Sequence, residues 1–310
     1  MEYLTSLKNP TRFLALTSLQ ANEFEILLSQ FAPLCEKYFR YHTLEGKQRK
    51  IVTSREHGNA QLKGSDQKLF FLLVYLKSNA LQEYHGTSFE VSQTKVSRIS
   101  RVLLELLNQT LSKMSLLPFR DGELLATQLA AHPTKVFSYD GMERGILRNA
   151  DGEAQEAEYS GKKKAHRVKN NLLCDDNQYI VYLSPTEAGS EHDKNIANEY
   201  PLTLPAASII KQDLGFKGHC PPGMIVEMPF KKPRNSELTF SQKIYNKIFN
   251  STRVVIEHAN SGVKRLRMLK DTIRIHSTIF RDLIMAVACG LHNFRVLSEG
   301  RAYGKSGAST

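Results

Sequence analysis

The most informative segment of the chain lies near its C-terminal end and reads Asn250-Ser-Thr-Arg253-Val-Val-Ile-Glu257-His-Ala-Asn-Ser-Gly-Val-Lys264-Arg265. At the helical period of 3.6 residues, Arg253, Glu257 and Lys264 fall within about 40° of one another on one face. One carboxylate therefore lies between two cations. Because charge pairs at this spacing also occur on ordinary solvated helices, the segment alone fits a surface helix equally well.

Two further acids occur upstream, each between a short apolar run and a glycine. Val136-Phe-Ser-Tyr-Asp140-Gly141 predicts a strand that ends in an acid, and Ala207-Ser-Ile-Ile-Lys-Gln-Asp213-Leu-Gly215 repeats this pattern. The carboxyl ends of strands in α/β sheets face the functional crevice, so acids from two strands and one helix can converge on a metal ion. We therefore expect Asp140, Asp213 and Glu257 to lie together.

These motifs resemble the DDE superfamily of transposases, in particular bacterial insertion-sequence enzymes of the insertion sequence five group and the eukaryotic Harbinger transposases. The resemblance rests on Tyr139-Asp140-Gly141, on Gln212-Asp213-Leu-Gly-Phe, and on Arg253-x-x-x-Glu257-x-x-x-x-x-x-Lys264. The wider signature has tyrosine three residues before the arginine, where this chain has Asn250. Other similar pieces are Tyr159-Ser-Gly-Lys-Lys-Lys, Gly189-Ser-Glu-His-Asp193 and Lys231-Lys232-Pro233.

Composition favours a polyanionic partner. The 310 residues include 42 Lys and Arg against 31 Asp and Glu, a formal charge of +11, and excess cations favour the binding of phosphates, whose charge they neutralise.

The four cysteines form no Cys-x-x-Cys pair, which predicts reduced thiols rather than a zinc ribbon or a disulfide framework. The chain shows no signal-peptide pattern and no apolar run near the roughly 20 residues of a membrane span. These features predict a cytoplasmic protein without membrane contact, and the resemblance implies a bacterial, nucleoid-associated one.

The N-terminal third predicts helices. Residues 1–65 are interpreted as a helical region and a basic connector, and residues 66–118 as a helix-turn-helix domain. Asp66 is the expected cap of an apolar helix over 68–77, followed by a short helix over 80–85 and a third helix that begins after Ser92.

The third helix has a polar face suited to DNA. Val96, Ile99 and Leu103 form its buried stripe, and the side chains expected to contact base edges and phosphates are Ser92, Gln93, Thr94, Lys95, Arg98 and Arg101. An ordinary three-helix bundle with a polar face is the alternative; the rest of the chain favours DNA contact.

Residues 134–297 predict a ribonuclease H-like catalytic domain, and 298–310 a flexible tail. Three strands, a helix, a fourth strand and a later helix that carries Glu257 follow the order of that fold, which the resemblance also implies. A hairpin is expected across Asp175 to Gln178, and a helix from Asp193. The fold class is therefore α/β with an all-α N-terminal region.

Three carboxylates suit Mg²⁺, which prefers oxygen ligands. We expect two Mg²⁺ ions, with Mn²⁺ as a substitute, held by Asp140, Asp213 and Glu257. Asp193 is the rival for the second acid, either as an additional ligand or as a helix cap; Asp213 is preferred because it follows a strand. The basic side chains expected to hold Glu257 or to grip phosphates are Lys231, Lys232, Arg253 and Lys264.

The predicted function is a DNA transposase that binds the terminal inverted repeats of its element and catalyses strand cleavage and strand transfer. Its partner is double-stranded DNA, both element ends and target, and pairing two ends implies a homodimer on DNA. Two alternatives stay open: a catalytically inactive DNA-binding regulator derived from a transposase, and a stand-alone ribonuclease H-like nuclease.

Overall fold

A computed structural model describes residues 1–53, 60–131 and 134–298. The helices are, in chain order, α1 (Tyr3–Leu7), α2 (Pro10–Thr17), α3 (Ala21–Tyr41), α4 (Gly64–Ser78), α5 (Gln82–Phe89), α6 (Gln93–Lys113), α7 (Leu125–Gln128), α8 (Gly152–Ala157), α9 (Asp193–Glu199), α10 (Phe240–Val263), α11 (Arg267–Lys270) and α12 (Thr278–Ser298). The strands are β1 (Val136–Gly145), β2 (Tyr159–Ser160), β3 (Ala165–Asp175), β4 (Ile180–Leu183), β5 (Glu187–Ala188), β6 (Ile209–Gln212) and β7 (Ile225–Glu227).

The chain divides into two compact units. The first contains Met1–Leu117, Lys264–Ile273 and Ile279–Leu291, and the second contains the remaining segments, Pro118–Val263 among them. The predicted N-terminal region and helix-turn-helix domain thus share one unit, which also takes in segments that the sequence suggested were catalytic. Part of the predicted connector, 54–59, and the predicted tail from 299 onward lie outside the described residues. Within the described ranges, no helix has the length and apolar character needed to cross a bilayer.

The first unit is built around α4. Every residue of this helix from Lys68 to Leu76 is buried, as expected for a helix that is apolar on all sides. Helices α1, α2, α3, α6 and α11 pack against it. The expected cap at Asp66 is wrong: Lys63 is the N-cap and Asp66 lies in the first turn, where a carboxylate still interacts favourably with the helix dipole.

A tight turn joins α5 to α6. Helix α5 begins at Gln82 and extends to Phe89, four residues beyond its predicted end. It stops at Glu90, which adopts a left-handed conformation with φ 57°, and the Val91 amide then donates to the Gly86 carbonyl at 2.9 Å. A Cβ on Gly86 would lie 2.3 Å from the Val91 carbonyl oxygen, so this turn requires glycine. Ser92 is the N-cap of α6, as predicted.

His85 is buried in the aromatic core of this unit. Its ring lies 4.5 Å from Phe71, 4.7 Å from Phe89 and 5.0 Å from Tyr75, measured between ring centroids. Burial lowers the pKa of His85 from 6.5 to about 4, against a smaller opposing effect of a backbone hydrogen bond at Phe71. The imidazole is therefore neutral in the folded protein at neutral pH.

The second unit contains a mixed sheet in the order β2-β3-β1-β6-β7, with β4 and β5 also paired to β3. Strand β1 is antiparallel to β3 and parallel to β6, and β6 is parallel to β7. The predicted hairpin is confirmed, because β3 and β4 are antiparallel and Asp175 accepts hydrogen bonds from the amides of Asn177 and Tyr179 in the turn. Three antiparallel strands, a helix and two parallel strands form the expected ribonuclease H-like α/β domain.

Strand β1 does not end at the acid, which corrects the sequence-based expectation. It continues to Gly145 because β3 pairs with it as far as Arg167. This extension is difficult to predict because one inward position of the strand is Arg144. Its side chain is buried and hydrogen-bonded to Asn170 and Thr186. A buried hydrogen-bond network thus accommodates a charged residue within the extended strand.

Lowering the pH should destabilise the protein through His85. An unfolded histidine takes up a proton near pH 6.5, whereas the folded one resists protonation down to about pH 4. Stability should therefore be lost as the pH falls below 6.5, by on the order of 1 kcal/mol for each pH unit. Thermal unfolding of wild type and His85→Phe at pH 7.5 and pH 5 measures this effect.

His85→Phe should lose less stability between the two pH values than wild type does. Substitution of the exposed His276 by Gln should leave the pH dependence unchanged. Equal losses in wild type and His85→Phe would show that another group controls the acid sensitivity.

Candidate active site and nucleic-acid interface

The first two predicted acids emerge side by side from the sheet. The parallel pairing of β1 and β6 ends at Tyr139 and Gln212, so Asp140 and Asp213 are the next residues on neighbouring strands. The Asp213 carboxylate accepts a hydrogen bond from the Gly215 amide at 2.8 Å. Asp140 is therefore placed by the end of the parallel pair rather than by the end of its own strand.

A third carboxylate, that of Asp193, fits between the two glycines that follow these acids. A Cβ on Gly141 would lie 2.6 Å from Asp193 Oδ1, and one on Gly215 would lie 3.2 Å from Asp193 Oδ2. The repeated acid–glycine pattern thus has a packing reason. Both glycines leave room for Asp193, which is the first residue of α9 rather than its N-cap; the N-cap is His192.

Lys169 forms an ion pair with the Asp193 carboxylate. Its ammonium lies 3.4 Å from Asp193 Oδ1 and 3.4 Å from Glu143 Oε1, and its side chain is only 8% exposed. The Asn171 amide also donates to the Asp193 backbone carbonyl at 2.8 Å. The sequence analysis did not identify Lys169. The feature that could have identified it is a lysine at an inward position of a long buried strand.

Helix α10 reaches Asp140 with two side chains. Arg253 Nη2 lies 3.3 Å from Asp140 Oδ1, and Asn260 Nδ2 donates to Asp140 Oδ2 at 2.9 Å. Glu257 lies on the same helical face, between these two residues, and is exposed. Sequence reasoning named Arg253 and missed Asn260, although Asn260 continues the face that Arg253 and Glu257 define.

Two polar atoms beside Asp140 are buried without a hydrogen-bond partner among the described residues. They are the donor Arg253 Nε and the acceptor Asn260 Oδ1. Buried polar groups normally have partners. An orphaned acceptor suits a cation or its bound water, and an orphaned donor suits an anionic oxygen.

Asp140 is electrostatically coupled to the other acids. Its pKa is raised to about 6, first by burial and then by Asp213 and Asp193, while Arg253 opposes the rise. Clustered carboxylates in a poorly solvated site repel one another when ionised. A cation at this position would relieve that repulsion.

The arrangement does not bring all predicted metal ligands together. Within the described ranges, no group of three or more His, Cys, Asp or Glu side chains is arranged to hold a metal ion. Glu257 is exposed, and Lys264, half-buried, follows directly after α10. The roles of Asp140, Asp213, Glu257 and Asp193 as ligands stay predictions.

The predicted DNA-contacting face of α6 is largely open to solvent. Ser92, Gln93, Thr94, Arg98 and Arg101 are exposed, and all but Ser92 help to line a surface depression of about 310 Å³. The guanidinium of Arg101 lies 4.8 Å from the centre of the Phe280 ring.

Two lysines that were predicted to bind DNA have partners within the protein. Lys95 is half-buried and donates to Gln61 at 2.9 Å, with Glu45 3.9 Å away. Lys232 pairs with Glu237, whereas its neighbour Lys231 is exposed. Lys95 and Lys232 would have to share or exchange these partners on binding a phosphate.

Comparison with known families agrees with this architecture. The family described as DDE superfamily endonuclease matches residues 139–293, half of the chain, and the helix-turn-helix of DDE superfamily endonuclease matches residues 61–113. The chain belongs to the DDE endonuclease superfamily and carries its helix-turn-helix.

A curated relative points in the same direction. The chain is 25% identical over 143 residues to a probable transposase for insertion sequence element IS702 from Microchaete diplosiphon, a match that covers 46% of this chain. It spans about half, 51%, of the length of that relative. No solved structure matches this chain significantly.

The packing of Asp193 against Gly141 can be tested by adding one methyl group. Gly141→Ala should lower the free energy of unfolding by about 1–3 kcal/mol, because the new Cβ must displace a carboxylate that Lys169 holds in place. Urea unfolding measures the loss. Gly161→Ala is the matched control, since a Cβ there meets no atom within 4 Å.

The same substitution should cost less in a background that lacks the carboxylate. A double-mutant cycle of Gly141→Ala with Asp193→Ala isolates this coupling. Additive losses would contradict the contact between Gly141 and Asp193.

Proposed function

We propose that this protein is a DNA transposase that binds the terminal inverted repeats of its insertion sequence and uses divalent metal ions to cleave and join DNA strands. The observation that carries the proposal is the placement of Asp140 and Asp213 on adjacent strand positions opposite the Arg253–Glu257 face of α10. Membership of the DDE endonuclease superfamily and similarity to an insertion-sequence transposase support it.

The chemistry of the proposed ligands, all carboxylates, suits a hard divalent cation. Asp140, Asp213 and Glu257 would hold it through oxygen atoms, which Mg²⁺ prefers and Mn²⁺ also accepts; two such ions are the expected number. Bound there, the metal would activate the attacking oxygen and stabilise the leaving oxygen of a phosphodiester. The unpartnered acceptor Asn260 Oδ1 supports this fit.

The chain's own side chains have separate tasks in this proposal. Arg253 holds Asp140 through Nη2 and keeps Nε available for a phosphate oxygen. Asp193, fixed by Lys169 and packed against Gly141, holds the two acid-bearing strand ends in register. The alternative role of Asp193 is that of an additional metal ligand.

DNA recognition falls to the helix-turn-helix. The exposed polar side chains at the start of α6, with Arg98 on the same face, suit contact with base edges and phosphates in the major groove. Cutting and joining two element ends requires two active sites, so we propose that the protein acts as a homodimer on DNA.

A non-catalytic DNA-binding regulator is the second candidate, favoured by one observation. Both carboxylate oxygens of Asp140 already have partners, Arg253 and Asn260, while Glu257 faces solvent. Such a protein would bind the element ends without cutting them. A stand-alone nuclease, in contrast, would cut without needing α5 and α6.

Metal-dependent nicking tests the catalytic proposal. Purified protein should nick DNA that carries the element ends in Mg²⁺ or Mn²⁺ and should not do so in EDTA. Asp140→Asn, Asp213→Asn and Glu257→Gln should each abolish nicking and leave DNA binding nearly intact, because each removes a charged oxygen ligand without changing side-chain volume. Glu153→Gln, on α8, serves as the isosteric control.

Normal binding with no cleavage in any metal would favour the regulator. Substantial turnover by one of the three variants would remove that residue from the ligand set.

The DNA-binding face can be tested on a single helix. Arg98→Ala should weaken binding to the element ends by about 1–3 kcal/mol if the guanidinium contacts a base, and should reduce the salt dependence by about one counterion if it contacts a phosphate. Lys113→Ala, which removes an exposed cation from the last turn of α6, is the charge-matched control. Fluorescence anisotropy across a salt series measures both, and equal effects of the two substitutions would contradict a localised interface.

A further inference from the structure

Two exposed aromatic rings meet where the loop after β7 packs on α10. Phe230 is 46% exposed and Tyr245 is 37% exposed, and their ring centroids lie 5.1 Å apart in an edge-to-face arrangement. Tyr245 also stacks on Phe249 at 6.0 Å, and Phe249 is buried. Phe230 and Tyr245 thus form an aromatic platform anchored on the body of the second unit.

The loop holds Phe230 rigidly. The Asn246 side chain accepts a hydrogen bond from the Phe230 amide at 2.7 Å and donates to the Phe230 carbonyl at 2.9 Å. This two-point clamp fixes the backbone of an exposed aromatic residue. A surface ordered in advance loses less conformational entropy when it binds a partner.

The surroundings of the platform are basic. Residues 227–248 contain five cations, Lys231, Lys232, Arg234, Lys243 and Lys247, against two acids, Glu227 and Glu237. Glu227 lies close enough to Tyr245 to raise, after burial, the pKa of its hydroxyl, and Lys232 and Lys243 both pair with Glu237. The net charge of this segment is therefore +3, five cations less two acids, which suits a polyanion better than an apolar protein surface.

The platform and the acid site share one helix. Tyr245 precedes Arg253 by eight residues on α10, a rise of about 12 Å. A strand of a few nucleotides spans this distance. A nucleic acid that lies along α10 can therefore contact both places.

We propose that Phe230 and Tyr245 form a stacking platform for a nucleobase that has left the double helix, close to the position where the strand is cut. Aromatic side chains beside cations are the usual means of holding unpaired nucleotides, because every base has a π-face and every nucleotide has a phosphate. The inference rests on the proposed function, since it takes DNA as the ligand. It adds contact with an unpaired base to the phosphate contacts expected of Lys231 and Lys232.

The absence of tryptophan from the sequence makes the platform directly observable. Phe230→Trp gives a full-length protein with one tryptophan at the proposed stacking position. A short single-stranded oligodeoxynucleotide, added without metal, should quench its fluorescence by stacking. An abasic strand of the same length, with the same phosphates, should not.

Leu124→Trp is the matched control. Leu124 is 52% exposed in the same unit, but two acids, Asp121 and Glu123, directly precede it, so the fluorescence of a tryptophan there should not respond to DNA. A second measurement uses unlabelled variants: Phe230→Ala should bind the oligonucleotide about 5- to 100-fold more weakly than wild type, and Phe230→Tyr should restore the affinity.

Three outcomes would overturn the platform. Equal quenching by the abasic strand would mean that phosphates alone are bound, and unchanged affinity in Phe230→Ala would mean that the ring does not contribute. Fluorescence that depends on protein concentration without DNA would assign the surface to a second copy of the chain, through the exposed stripe Phe240, Ile244 and Ile248.

The nicking assay and the quenching assay distinguish failure of the transposase proposal from failure of the platform. Base-dependent quenching in a protein that never nicks DNA would support the platform and remove the cleavage reaction. Nicking without quenching would overturn the platform alone.

Discussion

One carboxylate, that of Asp193, organises the contacts around the two acid-bearing strand ends of the second unit. Asp193 occupies the space that side chains at residues 141 and 215 would otherwise fill, and it brings a negative charge close to Asp140. Burying a charge is costly unless it is paired. The buried ammonium of Lys169 supplies that pairing and is shared with Glu143, so the packing of both acid–glycine segments against Asp193 is supported by one lysine.

The need to pair a poorly solvated charge also explains the contact between the sheet and α10. Asp140 is half-buried beside two other acids, and Arg253 and Asn260 contact its two oxygens from one helical face. Among the described residues, this arrangement leaves one donor and one acceptor, Arg253 Nε and Asn260 Oδ1, without a hydrogen-bond partner. Glu257 lies on the same helical face as these two residues and is exposed to solvent.

The first unit follows a different principle. Its central helix is buried from Lys68 to Leu76, and the surrounding helices pack against it mainly through apolar side chains. That arrangement leaves the polar start of α6 outside the core, where side chains such as Thr94 and Arg98 are exposed. The pattern of residues predicts both features: a buried helix without a polar face, and a neighbouring helix with one pronounced polar face.

The sequence by itself determined the main helices of the first unit, the burial of α4, the N-cap at Ser92 and the acid–glycine pattern after two apolar runs, because these depend on periodicity and local backbone chemistry. Tertiary structure decided the rest. The extension of β1 past Asp140 depends on pairing with β3, and the meeting of Asn260 with Asp140 depends on how α10 packs on the sheet. Periodicity shows which residues share a helix face, but distances between elements separated by over a hundred residues are set only when the chain packs.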